Sequence, residues 1–170
     1  TPVRVIDKRP RRGDVSKATG VSLGSMELLG AYGLSPEQLS GAAPMRRFIF
    51  HDDGAIVSDL RVPSLDGKPP AWLFPQRRLE DLMEDALAAL GIAVEYGCAF
   101  ERIIDTGPDS VTVALSSTGA EAERFRCQWL IGADGAHSPV REAAGIPFKG
   151  KDYPEEWSVC EVRTTAWPPE

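Results

Sequence analysis

Between residues 76 and 90 the apolar side chains Leu79, Leu82, Met83, Ala86, Leu87 and Leu90 recur every three or four positions, and Glu80, Asp81, Glu84 and Asp85 fall mostly between them. This spacing predicts a helix with one apolar face, ended by Gly91, and that face is expected to be core. Residues 17–34 show a shorter version, with Leu23, Met26, Leu29 and Tyr32 at helical spacing and Gly33 as the stop. Ser35, Pro36 and Gln38 then make a capping box for one further turn. Elsewhere the period shortens to that of strands. Residues 3–6 are a β-branched run closing on Asp7. Residues 45–51 and 55–60 flank Asp52, Asp53 and Gly54, a hairpin signal, and residues 61–71 carry three prolines and read as loop. Residues 92–95 follow the long helix at once, as the return strand of a βαβ unit does. Runs 99–105, 111–116 and 122–127 are joined by Gly, Pro, Asp and Ser and predict an antiparallel meander. One more strand is predicted within 157–164.

The meander leads into Cys127–Ile146, CQWLIGADGAHSPVREAAGI. Trp129, Leu130 and Ile131 are too few for a helix and predict a short buried strand. Gly132 and Gly135 bracket Ala133 and Asp134, so the chain turns tightly there and leaves its backbone open to a ligand. Ser138 is the predicted N-cap, Pro139 the first helical residue and Gly145 the stop. The expectation is strand, glycine turn and short helix, with a carboxylate and a helix start aimed past a strand end, where open α/β sheets bind ligands. A plain Asp-Gly turn has the same local chemistry.

Composition narrows the function classes. The 170 residues suit one domain, or one and a part, and 42% hydrophobic residues suffice for a packed core. A net charge of −6 argues against a general nucleic-acid or membrane-surface binder, which needs a basic face. Lys8, Arg9, Arg11 and Arg12 are the one dense basic run, read as a solvated loop. Cys98, Cys127 and Cys160 form no CxxC pair, which points to a reducing cytoplasm and away from a disulfide framework or zinc site. His51 and His137 lack partners at ligand spacing, so no metal is expected. No apolar run approaches the roughly 20 residues that span a bilayer.

GADGAHSPVR closely resembles the DG motif of flavin-dependent aromatic hydroxylases, the group A monooxygenases that include para-hydroxybenzoate and phenol hydroxylases. The resemblance implies that Asp134 accepts a hydrogen bond from the ribityl chain of FAD, that Gly132 and Gly135 shape the turn, and that Arg141 helps hold it. VRVIDKRP resembles the family's second strand, which implies that Asp7, with Lys8 beside it, meets the adenosine ribose; a strand that simply ends in Asp is the other reading. Lys17 stands where the family usually carries an arginine near the flavin, and a lysine lacks the planar fork for two-point contact. PQRRLEDLME resembles the segment whose Gln, here Gln76, bonds the ribityl and phosphate region; a polar helix start facing water is the alternative.

The implied fold is α/β: an FAD/NAD(P)-binding Rossmann-like parallel sheet with a β-meander, plus strands of a substrate domain. Residues 1–45 and 72–150 are assigned to a partial FAD-binding domain, and 46–71 and 151–170 to parts of a substrate-binding domain. No G-x-G-x-x-G occurs, so the chain is expected to lack the first βα unit and to be an internal piece, inactive by itself. Phe48, Phe50, Trp72 and Phe74 are expected to pack in the core or on a sheet face, with the wall over an aromatic substrate as their other role. The implied activity is an FAD- and NAD(P)H-dependent monooxygenase that hydroxylates an aromatic or polyketide-like substrate with oxygen through a flavin hydroperoxide. Related flavin chemistry, halogenation or reduction, and a non-catalytic remnant are the alternatives. No catalytic side chain is assigned, because the cofactor carries the chemistry. A cytoplasmic protein without nucleic-acid or membrane partners is expected, with a homodimer formed through exposed sheet edges.

Overall fold

The computed structural model describes residues 2–13, 18, 20–34, 39, 41–117, 121–155 and 158, and it divides into two units, Thr1–Cys98 and Ala99–Glu170. The first unit carries β1 (Val5–Asp7), β2 (Gly20–Ser22), α1 (Leu23–Ala31), β3 (Ala43–Pro44), β4 (Arg47–Asp52), β5 (Ala55–Arg61), β6 (Ala71–Leu73), α2 (Gln76–Ala89) and β7 (Val94–Tyr96). The expected βαβ return is present: β1 pairs with β7 in parallel, Val5 opposite Val94 and Asp7 opposite Tyr96, and the Arg4 fork grips Glu95 at 2.7 and 2.8 Å. A second sheet, in the order β2-β6-β3, is antiparallel throughout. Its central strand, β6, sits where only loop and packing aromatics were expected. The core of this unit is Val21, Met26, Leu39 and Phe74, with Leu29, Ala42, Trp72, Leu79 and Leu82 packed against it.

The hairpin β4–β5 turns through Asp53 and Gly54, both at positive φ, the conformation of a type I′ turn. One face is apolar at Phe48, Phe50 and Leu60, and the other carries charges beside exposed Ile49. Phe48 opposes Leu60 and stacks on Phe50 at 6.5 Å, whereas the adjacent positions hold the Arg47–Asp59 ion pair at 2.7 Å. Of the four aromatics noted in the sequence, Phe74 is buried and Trp72 half-buried, while Phe48 and Phe50 are exposed on this hairpin.

The second unit holds the meander, with β8 (Cys98–Gly107), β9 (Ser110–Ser117) and β10 (Glu123–Cys127) ordered β10-β9-β8, and then α3 (Pro139–Ala143). Val113, Ala114 and Leu115 are consecutive buried residues, so both faces of the central strand β9 are covered. The three helices among the described residues stop as expected: Gly33, Gly91 and Gly145 take positive φ, and the next residue's N–H reaches back to the carbonyls of Leu29, Leu87 and Arg141.

Several expectations are corrected. Trp129–Ile131 form no strand, and Trp129 and Ile131 are 83% and 85% exposed, because no strand among the described residues offers them a ladder of partners. The apolar face of α2 is only partly core: Leu79 and Leu82 pack, but Met83 and Leu90 lie exposed. The helix predicted within 17–34 begins only at Leu23. Ser22 caps it by accepting from the Ser25 N–H at 3.2 Å, and residues 20–22 are strand because β6 pairs with them. The basic run is not simply solvated: Arg12 lies largely covered against the carboxylates of α2, closest to Asp81. The capping box at Ser35, Pro36 and Gln38 and most of the strand predicted within 157–164 lie outside the described residues.

Candidate functional site

In the first unit, Asp7 closes β1 with its carboxylate gripped by Arg9. The guanidinium Nη2 donates at 2.6 Å and Nε at 3.0 and 3.1 Å, and the Arg9 backbone N–H adds a bond at 2.8 Å. These bonds hold the Asp7 carboxyl below the usual carboxylate range, and the charge of exposed Lys8 works in the same direction. The turn is tied down from the other side as well, where the Gly97 N–H donates to the Arg9 carbonyl at 2.7 Å. Asp7 is therefore ionised and fixed, an acceptor of the kind that ribose hydroxyls need.

Gln76 opens α2, as predicted, but its amide is engaged by the protein. Nε2 donates to Glu80 at 2.8 Å, and because a carboxylate can only accept, Oε1 faces the Ala18 N–H at 3.0 Å. Gln76 thus fastens the backbone at Ala18 to the start of α2. Arg12 reinforces the attachment, pairing with Asp81 and lying 3.9 Å from Glu80 and 3.8 Å from Glu84. Glu84 also accepts the Tyr96 hydroxyl at 2.6 Å, and this bond, with burial, pushes the phenol up to about 12. Lys17 lies outside the described residues.

In the second unit, Gly132, Asp134, Gly135 and Arg141 come together in one turn. Ser138 Oγ donates to Asp134 Oδ1, and the Val140 N–H donates to Oδ2 at 3.1 Å. Ser138 also caps α3, accepting from the Arg141 N–H at 3.0 Å. Arg141 returns to the turn through Nη1, which donates to the Ala136 carbonyl at 2.8 Å. Burial works to raise the Asp134 carboxyl, but the bonds from Ser138 and Val140 outweigh it and hold the group below its ordinary value. Gly132 is required by packing: a Cβ there would lie 2.9 Å from Val140 Cβ and Cγ1. Gly135 is required by its backbone, at φ +88°.

The donors at the start of α3 are consumed by Asp134 and Ser138, so this five-residue helix offers its N-terminus to the turn rather than to a ligand. Asp134 keeps acceptor capacity, since each carboxylate oxygen has a further lone pair. In each unit, taken by itself, the carboxylate is an ionised acceptor on a tightly held turn, the kind of group that hydroxyl donors need. Arg9, Arg12 and Glu80 went unassigned from the sequence. Their signal was present as charge, but their partners lie two to 69 positions away.

Residues 2–170 match the FAD binding domain family. The chain is 29% identical over 163 residues to a flavin-dependent monooxygenase of Mycobacteroides abscessus, covering 90% of this chain and 34% of that protein. It is 35% identical over 154 residues to the 12-dehydrotetracycline 5-monooxygenase/anhydrotetracycline 6-monooxygenase of Streptomyces rimosus, covering 87% of this chain and 29% of that protein. Among solved structures, aklavinone-11 hydroxylase in a ternary complex with FAD and aklavinone superposes with a TM-score of 0.69 at 25% identity, over 84% of this chain and 30% of that one. The chain therefore spans about a third of the length of these relatives. Together with the parallel β1–β7 pair, the meander and the Asp134 turn, the match along residues 2–170 shows that this chain belongs to the FAD binding domain family.

Proposed function

We propose that the protein serves an FAD- and NAD(P)H-dependent monooxygenase that hydroxylates an aromatic or polyketide-type substrate, and that these residues hold parts of the flavin cofactor. The observation that carries this reading is the match along nearly the whole chain to proteins named as a flavin-dependent monooxygenase and a 12-dehydrotetracycline 5-monooxygenase/anhydrotetracycline 6-monooxygenase. Bound FAD would supply the oxygen chemistry. The chain's own residues bind and orient: Asp7, flanked by Lys8, accepts from ribose hydroxyls, and Asp134 accepts from the ribityl chain. Gln76 and Arg141 act one step back, bonding the backbone of Ala18 and Ala136. Gly132 and Gly135 let the Asp134 turn close, and Lys17 contributes a positive charge to cofactor binding. Self-association and a cytoplasmic location belong to the same reading; no helix among the described residues is long and apolar enough to cross a membrane.

Titration of the chain with FAD, followed by tryptophan fluorescence, tests the site, because Trp129 lies three residues before the turn. Saturable quenching at micromolar FAD is expected, weakened by both Asp134→Ala and Asp134→Asn. The asparagine keeps the side-chain size but can accept from only one of Ser138 Oγ and the Val140 N–H, so the thermal midpoint of the variant, measured alongside, separates loss of the site from loss of the fold. Binding unchanged in Asp134→Asn would remove Asp134 from the site.

A further inference from the structure

We infer that Phe148 is a positioning residue for the Asp134 turn, acting through Arg141 by covering its guanidinium. The Arg141 Cζ lies 4.6 Å from the centroid of the Phe148 ring. From beneath that ring, Nη1 donates to the Ala136 carbonyl at 2.8 Å, two residues beyond Asp134. The Arg141 backbone N–H donates to Ser138 Oγ, which in turn donates to Asp134. One residue thus holds the turn by both its main chain and its side chain, and the side chain is the part that needs holding.

Phe148 does not belong to a core. It is 71% exposed, so burial of its own surface does not explain where it sits. Its position follows from the end of α3: Gly145 at φ +67° and the bond from the Ile146 N–H to the Arg141 carbonyl fold the chain back over the residue it left. The consequence is visible at Arg141. Its side chain is largely covered, and Nε is shielded from solvent without a hydrogen-bond partner. Among the described residues, the carboxylate paired with it is that of exposed Glu142 at 3.9 Å, which pulls towards water. An aromatic face over the guanidinium opposes that pull by cation–π attraction, and it strengthens the bond to Ala136 by excluding water from it.

The contact can be tested without flavin; only its effect on cofactor binding rests on the function proposed above. In the full 170-residue chain, the Arg141 Hε resonance is expected upfield, from the Phe148 ring current, and protected from exchange with solvent. Phe148→Leu should abolish both features and Phe148→Tyr should retain them. FAD binding is then expected to weaken roughly fivefold in Phe148→Leu and to recover in Phe148→Tyr. Adding Phe148→Leu to Arg141→Lys should weaken it little further. An unchanged Arg141 resonance in Phe148→Leu overturns the inference, and so do fully additive losses of affinity in the double variant. If the unmodified chain binds no FAD, the flavin reading of this turn fails, while the resonance comparison still decides whether Phe148 positions Arg141.

Discussion

At Gly132 there is no room for a methyl group, because Val140 of the following helix already occupies the space a Cβ would take. Gly132→Ala is expected to cost about 1–3 kcal/mol in urea unfolding, the usual penalty of overpacking. Adding Val140→Ala should return part of the loss, whereas a backbone requirement for glycine would leave it unrecovered. The carboxylates make a second prediction at this scale. Asp7 and Asp134 both have folded pKa values below the ordinary 3.8, so the stability they add is complete above that value and is lost as pH falls through their lower folded values. Acid unfolding should accordingly begin at a higher pH, and become shallower, in Asp7→Asn and Asp134→Asn than in the parent chain. Much of this local chemistry was legible: Ser138 as cap, Pro139 at the first helical position and Gly145 as stop are decided by residues within a few positions of one another. The Arg9 fork on Asp7 was not, because the sequence offered four neighbouring cations and no geometry to choose among them.

For the elements, α2 is the instructive case. Its length and apolar face follow from periodicity, and its observed limits, Gln76–Ala89, differ by one residue from the predicted helix. Beside the packing of Leu79 and Leu82, polar contacts hold it in place. Arg12 faces Glu80, Asp81 and Glu84, and without it three neighbouring carboxylates on one helix would repel one another. Arg12→Met should lower the thermal midpoint, and the difference from the parent should shrink as salt is added; a gap independent of ionic strength would assign the effect to packing of the aliphatic stem instead. Tyr96 ties the same helix to β7. Its phenol, pushed up to about 12, contributes stability that is whole below the ordinary value of 10.0 and disappears as pH rises through about 12. Ultraviolet titration should show a phenol that ionises at about 12 and is missing in Tyr96→Phe.

Across the whole molecule, large apolar side chains remain exposed in both units: Phe48, Phe50 and Leu60 along one face of the hairpin, and Trp129 and Ile131 before the Asp134 turn. Contiguous apolar surface of this kind favours association. Sedimentation is therefore expected to show a concentration-dependent increase in mass, reduced in Trp129→Ser or in Phe48→Ser/Phe50→Ser; a monomer over the whole concentration range would contradict it. What the sequence determined by itself was local and periodic: the helix and strand types, the hairpin and meander, the helix stops, and the family of the Asp134 turn. These depend on φ preference, capping and period, which act over a few residues. Tertiary structure alone decided that β6 is a central strand, that Trp129–Ile131 is not a strand, that α2 keeps only part of its apolar face covered, and that Gln76 and Arg12 are spent on bonds to Ala18 and to the carboxylates of α2. A strand exists only with a partner to satisfy its N–H and C=O groups, and an apolar face is core only where another element covers it. Both are properties of residues far apart in the chain, which periodicity does not encode.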